Sequence, residues 1–316
     1  MEFTKGSPSR RKMSMTAAVA VVLAPVVSLP QAPGAVAAPR HQVMFTSSAT
    51  WDAPEGVSEV TFYLWAPGGA GGPGGGGGGG GPNGGRSNGF GGGGGGGGGG
   101  GVGGAYVACK KKVEPGSYTI TIERGASWEG GKGGKGSSSL SNSQGGNGTS
   151  PKQVGGAPPR TEITRPDGGS GPYAGDSAGV GRPGAFGTGG KSGYEAGSGI
   201  GVGGEGGEGG KPTSPSCIGD QLEQAKGKRG DKGQSGYWGD QFKTVPKGGK
   251  GGKGGAPGRT TLPDGKPLPS GTAVGGAGGP GGNGGLGGDT NQKAGLPGQA
   301  GQAGSTGGNG LVVITW

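Results

Sequence analysis

Charged side chains recur three residues apart in this chain, and that spacing limits the chemistry they can perform. Lys247, Lys250 and Lys253 form one such row, and Glu205 and Glu208 form a shorter acidic row. In a helix with three residues per turn and about 3.1 Å rise per residue, each row lies along one edge with its charges roughly 9.3 Å apart. Such a lysine row can hold a polyanion by electrostatic attraction. The alternative is a solvated edge that keeps the protein soluble.

A second candidate site lies in the middle of the chain, where an aromatic pair follows a basic cluster. The residues are Lys226, Lys228, Arg229, Tyr237 and Trp238. Aromatic rings close to cationic groups suit stacking on a carbohydrate or contact with an anionic polymer. The alternative is a structural role, in which the aromatic pair covers one end of the glycine-rich region and shields its backbone from water.

The sequence provides little for catalysis or metal binding. His41 is the only histidine, so a Ser-His-Asp set would depend on one residue near the amino terminus. Glu205 and Glu208 are predicted to lie on a solvated edge, without the apolar pocket that a pair of catalytic carboxylates needs. The two cysteines are not in a Cys-x-x-Cys motif, and no strand–loop–helix context supports a phosphate-binding loop. We expect no enzyme activity, no cofactor, no metal and no specific nucleic-acid partner.

The amino terminus has the layout of a secretory signal peptide. Arg10–Lys12 precede an apolar stretch, Ala17–Leu29, and Ala35–Ala37 supply small residues at the expected cleavage spacing. Cleavage after Ala37 removes four basic and one acidic side chain, so the net charge falls from +10 to +7. The paired arginines leave both the general secretory and the twin-arginine route open. With no other apolar segment of spanning length, we expect a secreted or cell-surface protein without a transmembrane segment.

Export bears directly on the two cysteines, Cys109 and Cys217. Thiols of exported proteins tend to be oxidised, so one disulfide is the simplest expectation. It would connect the first β-rich segment to the middle of the glycine region. Closing a loop of about 100 residues stabilises a fold by up to about 4–5 kcal/mol in the chain-entropy model.

Glycine accounts for 95 of the 316 residues and in places follows a strict period of three. Gly275–Asp289 reads GGA-GGP-GGN-GGL-GGD, and uninterrupted glycine fills Gly74–Gly81 and Gly91–Gly101. Three residues per turn is the period of the polyproline-II type of helix, which glycine adopts readily. Collagen and disorder are the alternatives. Collagen-like Gly-X-Y is confined to Gly295–Asn309, and the triplet phasing argues against disorder.

Conventional strand patterns stand near both ends of this glycine-rich region. The predicted strands are Val43–Trp51, Val57–Trp65, Ala105–Val113, Ser117–Glu123 and Leu311–Trp316. They suggest a small antiparallel β-sandwich whose first and last strands meet, with the glycine-rich chain inserted. Asp220–Lys226 reads as a helical turn, and Arg160–Asp167 reads as an extra strand.

A family resemblance follows from the order of these motifs. A strand and glycine run (TFYLWAPGGAGGPGGGGGGGG) precede GGAYVACKKKVEPGSYTITIERG, further glycine triplets and a closing GGNGLVVITW. This order resembles the glycine-rich domain of bacterial surface and phage tail adhesin proteins. It is also similar to the glycine-rich region of anaplastic-lymphoma-kinase-type receptors. The resemblance covers residues 43–316.

The resemblance implies a mainly β and irregular fold with little or no α-helix. It implies a small antiparallel β-sandwich with strands near 43–65, 105–123 and 311–316. Residues 67–104 and 125–310 would form an inserted bundle of polyglycine-II helices with its loops. In the family the bundle is a rigid scaffold, and recognition lies in non-glycine loops at its tips.

The functional expectation is a non-catalytic, adhesin-like binding or scaffold module, secreted or held at the cell surface. Its partner would be a cell-surface polysaccharide, a protein receptor or an anionic polymer of the envelope. Two other functions stay open, namely a structural component of the envelope or matrix, and an ice-binding protein.

Overall fold

The computed structural model contains no α-helix among the residues that it describes. These are residues 41–81, 92–123, 127–135, 147–149, 152–154, 160–165, 167, 170–173, 204–205, 207–209, 214–237, 245, 247–286 and 294–316. The predicted signal peptide lies outside them. No helix in this described part of the chain could cross a membrane.

The regular structure of the described residues is β-strand. The strands are β1 Gln42–Phe45, β2 Ala49–Asp52, β3 Glu59–Trp65, β4 Tyr106–Lys112, β5 Ser117–Ile122, β6 Ser127–Glu129, β7 Lys152–Val154, β8 Thr161–Thr164, β9 Ser170–Tyr173, β10 Asp220–Ala225 and β11 Leu311–Thr315. The fold is therefore mainly β, as expected. Strands β6–β10 fall within 125–310, which the sequence analysis assigned to bundle and loops, so that assignment was too broad.

The first sheet has the order β1-β11-β3-β4-β10, and every neighbouring pair is antiparallel. The first and last strands pair, with Val43 opposite Ile314, which confirms that the ends of the domain meet. In β3 the buried residues Val60, Phe62 and Leu64 alternate with more exposed ones, which is the pattern of a strand with one face in a core.

The second sheet has the order β2-β5-β8-β9. Its β8 confirms the strand predicted within Arg160–Asp167. The predicted strand Val43–Trp51 is instead two strands, since β1 joins the first sheet and β2 the second. A third, two-stranded sheet pairs β6 with β7.

The helical turn predicted at Asp220–Lys226 is wrong, because β10 occupies Asp220–Ala225 and pairs with β4. The register between them shifts between Gln221 and Glu223. Pairing with the otherwise free edge of β4 satisfies backbone groups along five strand positions. That gain outweighs the helix propensity of Glu, Gln and Ala, which amounts to less than about 1 kcal/mol per residue.

The main hydrophobic core contains side chains from both larger sheets. Phe62 and Ile314 of the first sheet pack in one buried cluster with Trp51, Ile120 and Ile163 of the second. A smaller cluster lies on the opposite face of the first sheet. Its members are Trp65, Tyr106, Ala108, Leu262, Ala273, Leu311 and Val313.

Eight extended glycine-rich segments account for much of the remaining described chain. We label them g1 67–81, g2 92–104, g3 130–135, g4 204–209 (residue 206 not described), g5 226–237, g6 247–258, g7 274–286 and g8 295–308. Their amides and carbonyls are bonded between segments, and the bonds recur at every third residue. For example, the amides of Gly95, Gly98 and Gly101 donate to carbonyl oxygens of g7 at 2.8, 2.8 and 2.7 Å.

Four of these segments are direct continuations of the first sheet. The strand order β11-β3-β4-β10 is repeated as g8-g1-g2-g5. Just beyond the sheet, Gly69 donates to Val102 at 2.8 Å, which joins g1 to g2. Gly68 donates to Gly308 at 2.9 Å, which joins g1 to g8. The sheet therefore sets the order in which these segments lie side by side.

The other four segments bond to this central layer. The segments g7 and g6 are bonded to each other, as in the bond of 2.8 Å from Gly278 to Gly252, and both are bonded to g2. The segment g3 bonds to g1 and g8, and g4 bonds to g2 and g5. Among the eight labelled segments, g2 therefore has the most bonded neighbours, namely g1, g4, g5, g6 and g7.

Candidate functional site

Much of the interior of the glycine segments has no room for side chains. At Gly97, Gly98 and Gly99, an added Cβ atom would lie 2.1, 1.8 and 2.0 Å from backbone oxygens of g6, g1 and g4, respectively. Real Cβ atoms do not approach backbone so closely, so three successive residues of g2 must all be glycine. Chemistry can then come only from side chains on the outer edges.

One outer edge is formed by g5 and g6, which run antiparallel with a fixed register. Four amides of g5 donate to carbonyls of g6 at 2.8–2.9 Å, with the pairs Lys228 to Ala256, Asp231 to Lys253, Gln234 to Lys250 and Tyr237 to Lys247. The predicted lysine row of g6 therefore lies beside the row that contains Lys228 and Tyr237. We call Lys228, Gln234, Tyr237, Lys247, Lys250 and Lys253 the cationic face.

The three lysines of g6 are exposed along the whole row. Between them, Gly249 and Gly252 are buried, and an added Cβ at these glycines would lie 1.9 and 2.1 Å from carbonyl oxygens of g5. The period of three thus confines the lysines to the solvent side. Among the described residues, no ion pair engages Lys247, Lys250 or Lys253. Asp231 is the one acidic residue among the exposed positions that pair with g6.

A different edge of g5 carries the other predicted basic residues. Arg229 forms an ion pair of 2.6 Å with Glu208 of g4, and Lys232 lies 3.2 Å from the same carboxylate. Lys226 precedes Arg229 by three residues and belongs to this row. The structure therefore divides the predicted basic cluster, placing Lys228 on the cationic face and Lys226 with Arg229 beside the acidic row.

The predicted aromatic pair is described only in part. Tyr237 is 66% exposed, and its amide and carbonyl groups are bonded to g6 and g2. Its backbone is thus fixed while its ring faces solvent, at the position paired with Lys247. Trp238 lies outside the described residues.

The predicted disulfide between Cys109 and Cys217 is formed, with 6.0 Å between the two Cα atoms. Cys109 lies fully buried in β4, and Cys217 lies shortly before β10. The bridge therefore fixes the chain beside β4 just before it becomes β10 and then g5. Through this connection the disulfide supports the position of the cationic face.

Sequence reasoning missed a partly buried anchor that holds the end of g6 against the first sheet. The guanidinium of Arg259 donates to the Tyr106 hydroxyl at 2.7 Å and pairs with Glu223. The carbonyl of Arg259 accepts a bond of 3.0 Å from the Trp65 indole. Burial raises the pKa of Tyr106, so its hydroxyl stays protonated. The only sequence signal was that Arg259 begins a segment unusually rich in side chains.

No group of three or more His, Cys, Asp and Glu side chains is placed to hold a metal ion in the described part of the chain. The expectation that the protein is not an enzyme stays a prediction. Comparison of the chain with protein-family models and with curated proteins finds no match.

Proposed function

We propose that the chain is a non-catalytic scaffold of the adhesin type, secreted or held at the cell surface. In this proposal a β-sandwich carries a bundle of polyglycine-II helices. Three observations support the bundle. Hydrogen bonds between segments recur at every third residue, and neighbouring backbone leaves no room for a Cβ atom at glycines such as Gly97 and Gly98. The strand order of the first sheet also continues into the glycine segments. The shared core of the two larger sheets supports the sandwich.

The cationic face is the site that we propose for binding, and its ligand is an anionic polymer of a cell surface. The observation that carries this proposal is the row of three exposed lysines that have no ion-pair partner among the described residues, reinforced by Lys228 on the neighbouring segment. A linear polyanion can contact successive lysines at a regular interval. Tyr237 adds an exposed ring at one end, suited to packing on a sugar or against the polymer backbone.

The hydrogen-bonded backbone of g5 and g6 favours such binding, because it already fixes the positions from which both rows of side chains extend. Ordering of the protein backbone then costs little on association, and mainly the lysine side chains lose freedom. An unstructured lysine-rich segment would lose far more conformational entropy when it binds. The glycine segments would therefore contribute to affinity without contacting the ligand.

Replacing Lys247, Lys250 and Lys253 together by glutamine tests this proposal. A lysine near an anionic surface contributes about 1 kcal/mol, and 1.4 kcal/mol is a tenfold change in Kd. The triple variant should therefore bind immobilised lipoteichoic acid or heparin roughly a hundredfold more weakly, as measured by biolayer interferometry at low salt. The affinity of the wild-type protein should fall as salt is added.

The matched control replaces Lys226, Arg229 and Lys232 by glutamine. It removes the same net charge from the same bundle, but from the edge that carries Glu208. This variant should keep most of the wild-type affinity. Equal losses in the two triple variants would show that only net charge matters, and absence of wild-type binding at low salt would refute the proposed function.

A further inference from the structure

A polar row crosses the open part of the outer face of the first sheet, away from the glycine segments. The register places Gln42, Thr315, Thr61, Lys110 and Asp220 directly beside one another on β1, β11, β3, β4 and β10. Side chains of directly paired residues point to the same face of a sheet. Five strands from distant parts of the sequence thus bring together amide, hydroxyl, ammonium and carboxylate groups.

This face is concave. A cavity of about 300 Å³ opens over the row, at the lower end of the range typical of small-molecule sites. The side chains that line the cavity include Glu59, Thr61, Tyr63, Lys110, Leu222 and Thr315. Leu222 forms part of the cavity wall, at the point where the pairing of β10 with β4 is irregular between Gln221 and Glu223. The Leu222 side chain is 56% exposed.

The charges within the cavity compensate each other. Lys110 and Glu59 form an ion pair of 2.7 Å, and both side chains remain nearly half exposed. Their hydrogen bond raises the pKa of Lys110, so the ammonium group is retained at neutral pH. The pair therefore offers a ligand a strong acceptor and a strong donor side by side without excess charge. The Thr61 and Thr315 hydroxyls each add a group that can donate and accept.

We propose that this cavity binds one neutral sugar ring. The adjacent donor and acceptor of Lys110 and Glu59 match the neighbouring hydroxyls of a pyranose, which can each donate and accept. Tyr63 and Leu222 supply apolar surface for the C–H groups of the ring. An anionic ligand would meet the Glu59 carboxylate, and an apolar one would leave the polar row desolvated without partners. The site is separate from the cationic face and does not depend on the function proposed for it.

Titration of the protein spanning residues 38–316 with glucose, galactose, mannose and N-acetylglucosamine tests the proposal by amide NMR. A small ligand with few contacts is expected to bind with a millimolar Kd. At least one of these sugars should shift the amide signals of Thr61, Lys110 and Thr315 in a saturable manner. If none of the four sugars shifts these signals at saturating millimolar concentrations, the proposal is overturned.

Two variants and a control make the site assignment specific. Leu222→Trp places a larger side chain in the cavity from an exposed position, so sugar binding should be lost while the melting temperature is kept. Thr61→Val removes one hydroxyl without changing the shape of the side chain, and should weaken binding at least severalfold. Gln224→Trp makes a similar change at another exposed position of β10 that does not line the cavity, and should bind as the wild type does. Undiminished binding by Leu222→Trp would overturn the proposal.

Discussion

Gly276→Val is expected to destabilise the protein by about 4 kcal/mol or more, at the upper end of single-residue effects. A Cβ atom at Gly276 would lie 2.0 Å from the carbonyl oxygen of Ser305 and 2.8 Å from the amide nitrogen of Gly71. The residue also donates to Gly69 and accepts from Gly101, so it cannot move without breaking bonds to two segments. Thermal unfolding should show a melting temperature lower by roughly 10 °C, given about 2–4 °C per kcal/mol for domains of about 150–250 residues.

The matched control is the neighbouring Ala277→Val. Ala277 is exposed, so two added methyl groups enter solvent and stability should change by no more than about 0.5 kcal/mol. Gly276 does not have a positive φ, so valine is not excluded there by its backbone conformation. A difference between the two variants therefore reports packing alone, and equal melting temperatures would refute the packing with a period of three.

Loss of the Cys109–Cys217 bridge is expected to have an effect of similar size. The bridge spans 108 residues, and closing a loop of that length stabilises a fold by about 4–5 kcal/mol in the chain-entropy model. Urea unfolding of the oxidised protein should have a clearly higher midpoint than unfolding in the presence of a reductant. The bridge also holds β10 beside β4, so the reduced protein should lose order in g5 before the first sheet unfolds.

The double variant Cys109→Ala/Cys217→Ala is the control for this comparison. It should unfold near the midpoint of the reduced wild-type protein and should not respond to reductant. If reductant leaves the wild-type midpoint unchanged while mass spectrometry shows two free thiols, the bridge has no stabilising role.

The elements that could be predicted from the sequence are those determined by local pattern. The apolar patterns of Val57–Trp65 and Leu311–Trp316 indicated two strands, and the expectation of export indicated a bridge between the two cysteines. In contrast, β10 was misread, because its pairing with β4 depends on residues more than a hundred positions away. Local propensity carries no information about such a partner.

The candidate sites also divide into features that local sequence predicts and features that depend on distant partners. The lysine row of g6 follows from a spacing of three residues, which is visible in the sequence. Which row lies beside it depends on the packing and register of g5 against g6 and g4, so the placement of Lys228 beside this row and of Arg229 beside Glu208 could not be foreseen. The polar row on the first sheet is harder still to predict, because it combines residues from five strands. Its prediction would require the register of every neighbouring pair of these strands.

Hydrogen exchange of the glycine amides in residues 92–104 tests the central claim of an ordered bundle most directly, because g2 bonds to five of the other segments. The amides of Gly94, Gly95, Gly97, Gly98 and Gly100 all donate to other segments at 2.8–2.9 Å. They should therefore exchange as slowly as the amides of β3 and β4, and together with them, because exchange would require opening of the whole assembly. Exchange of these glycines at the rate of an unfolded chain, while β3 and β4 stay protected, would contradict the account.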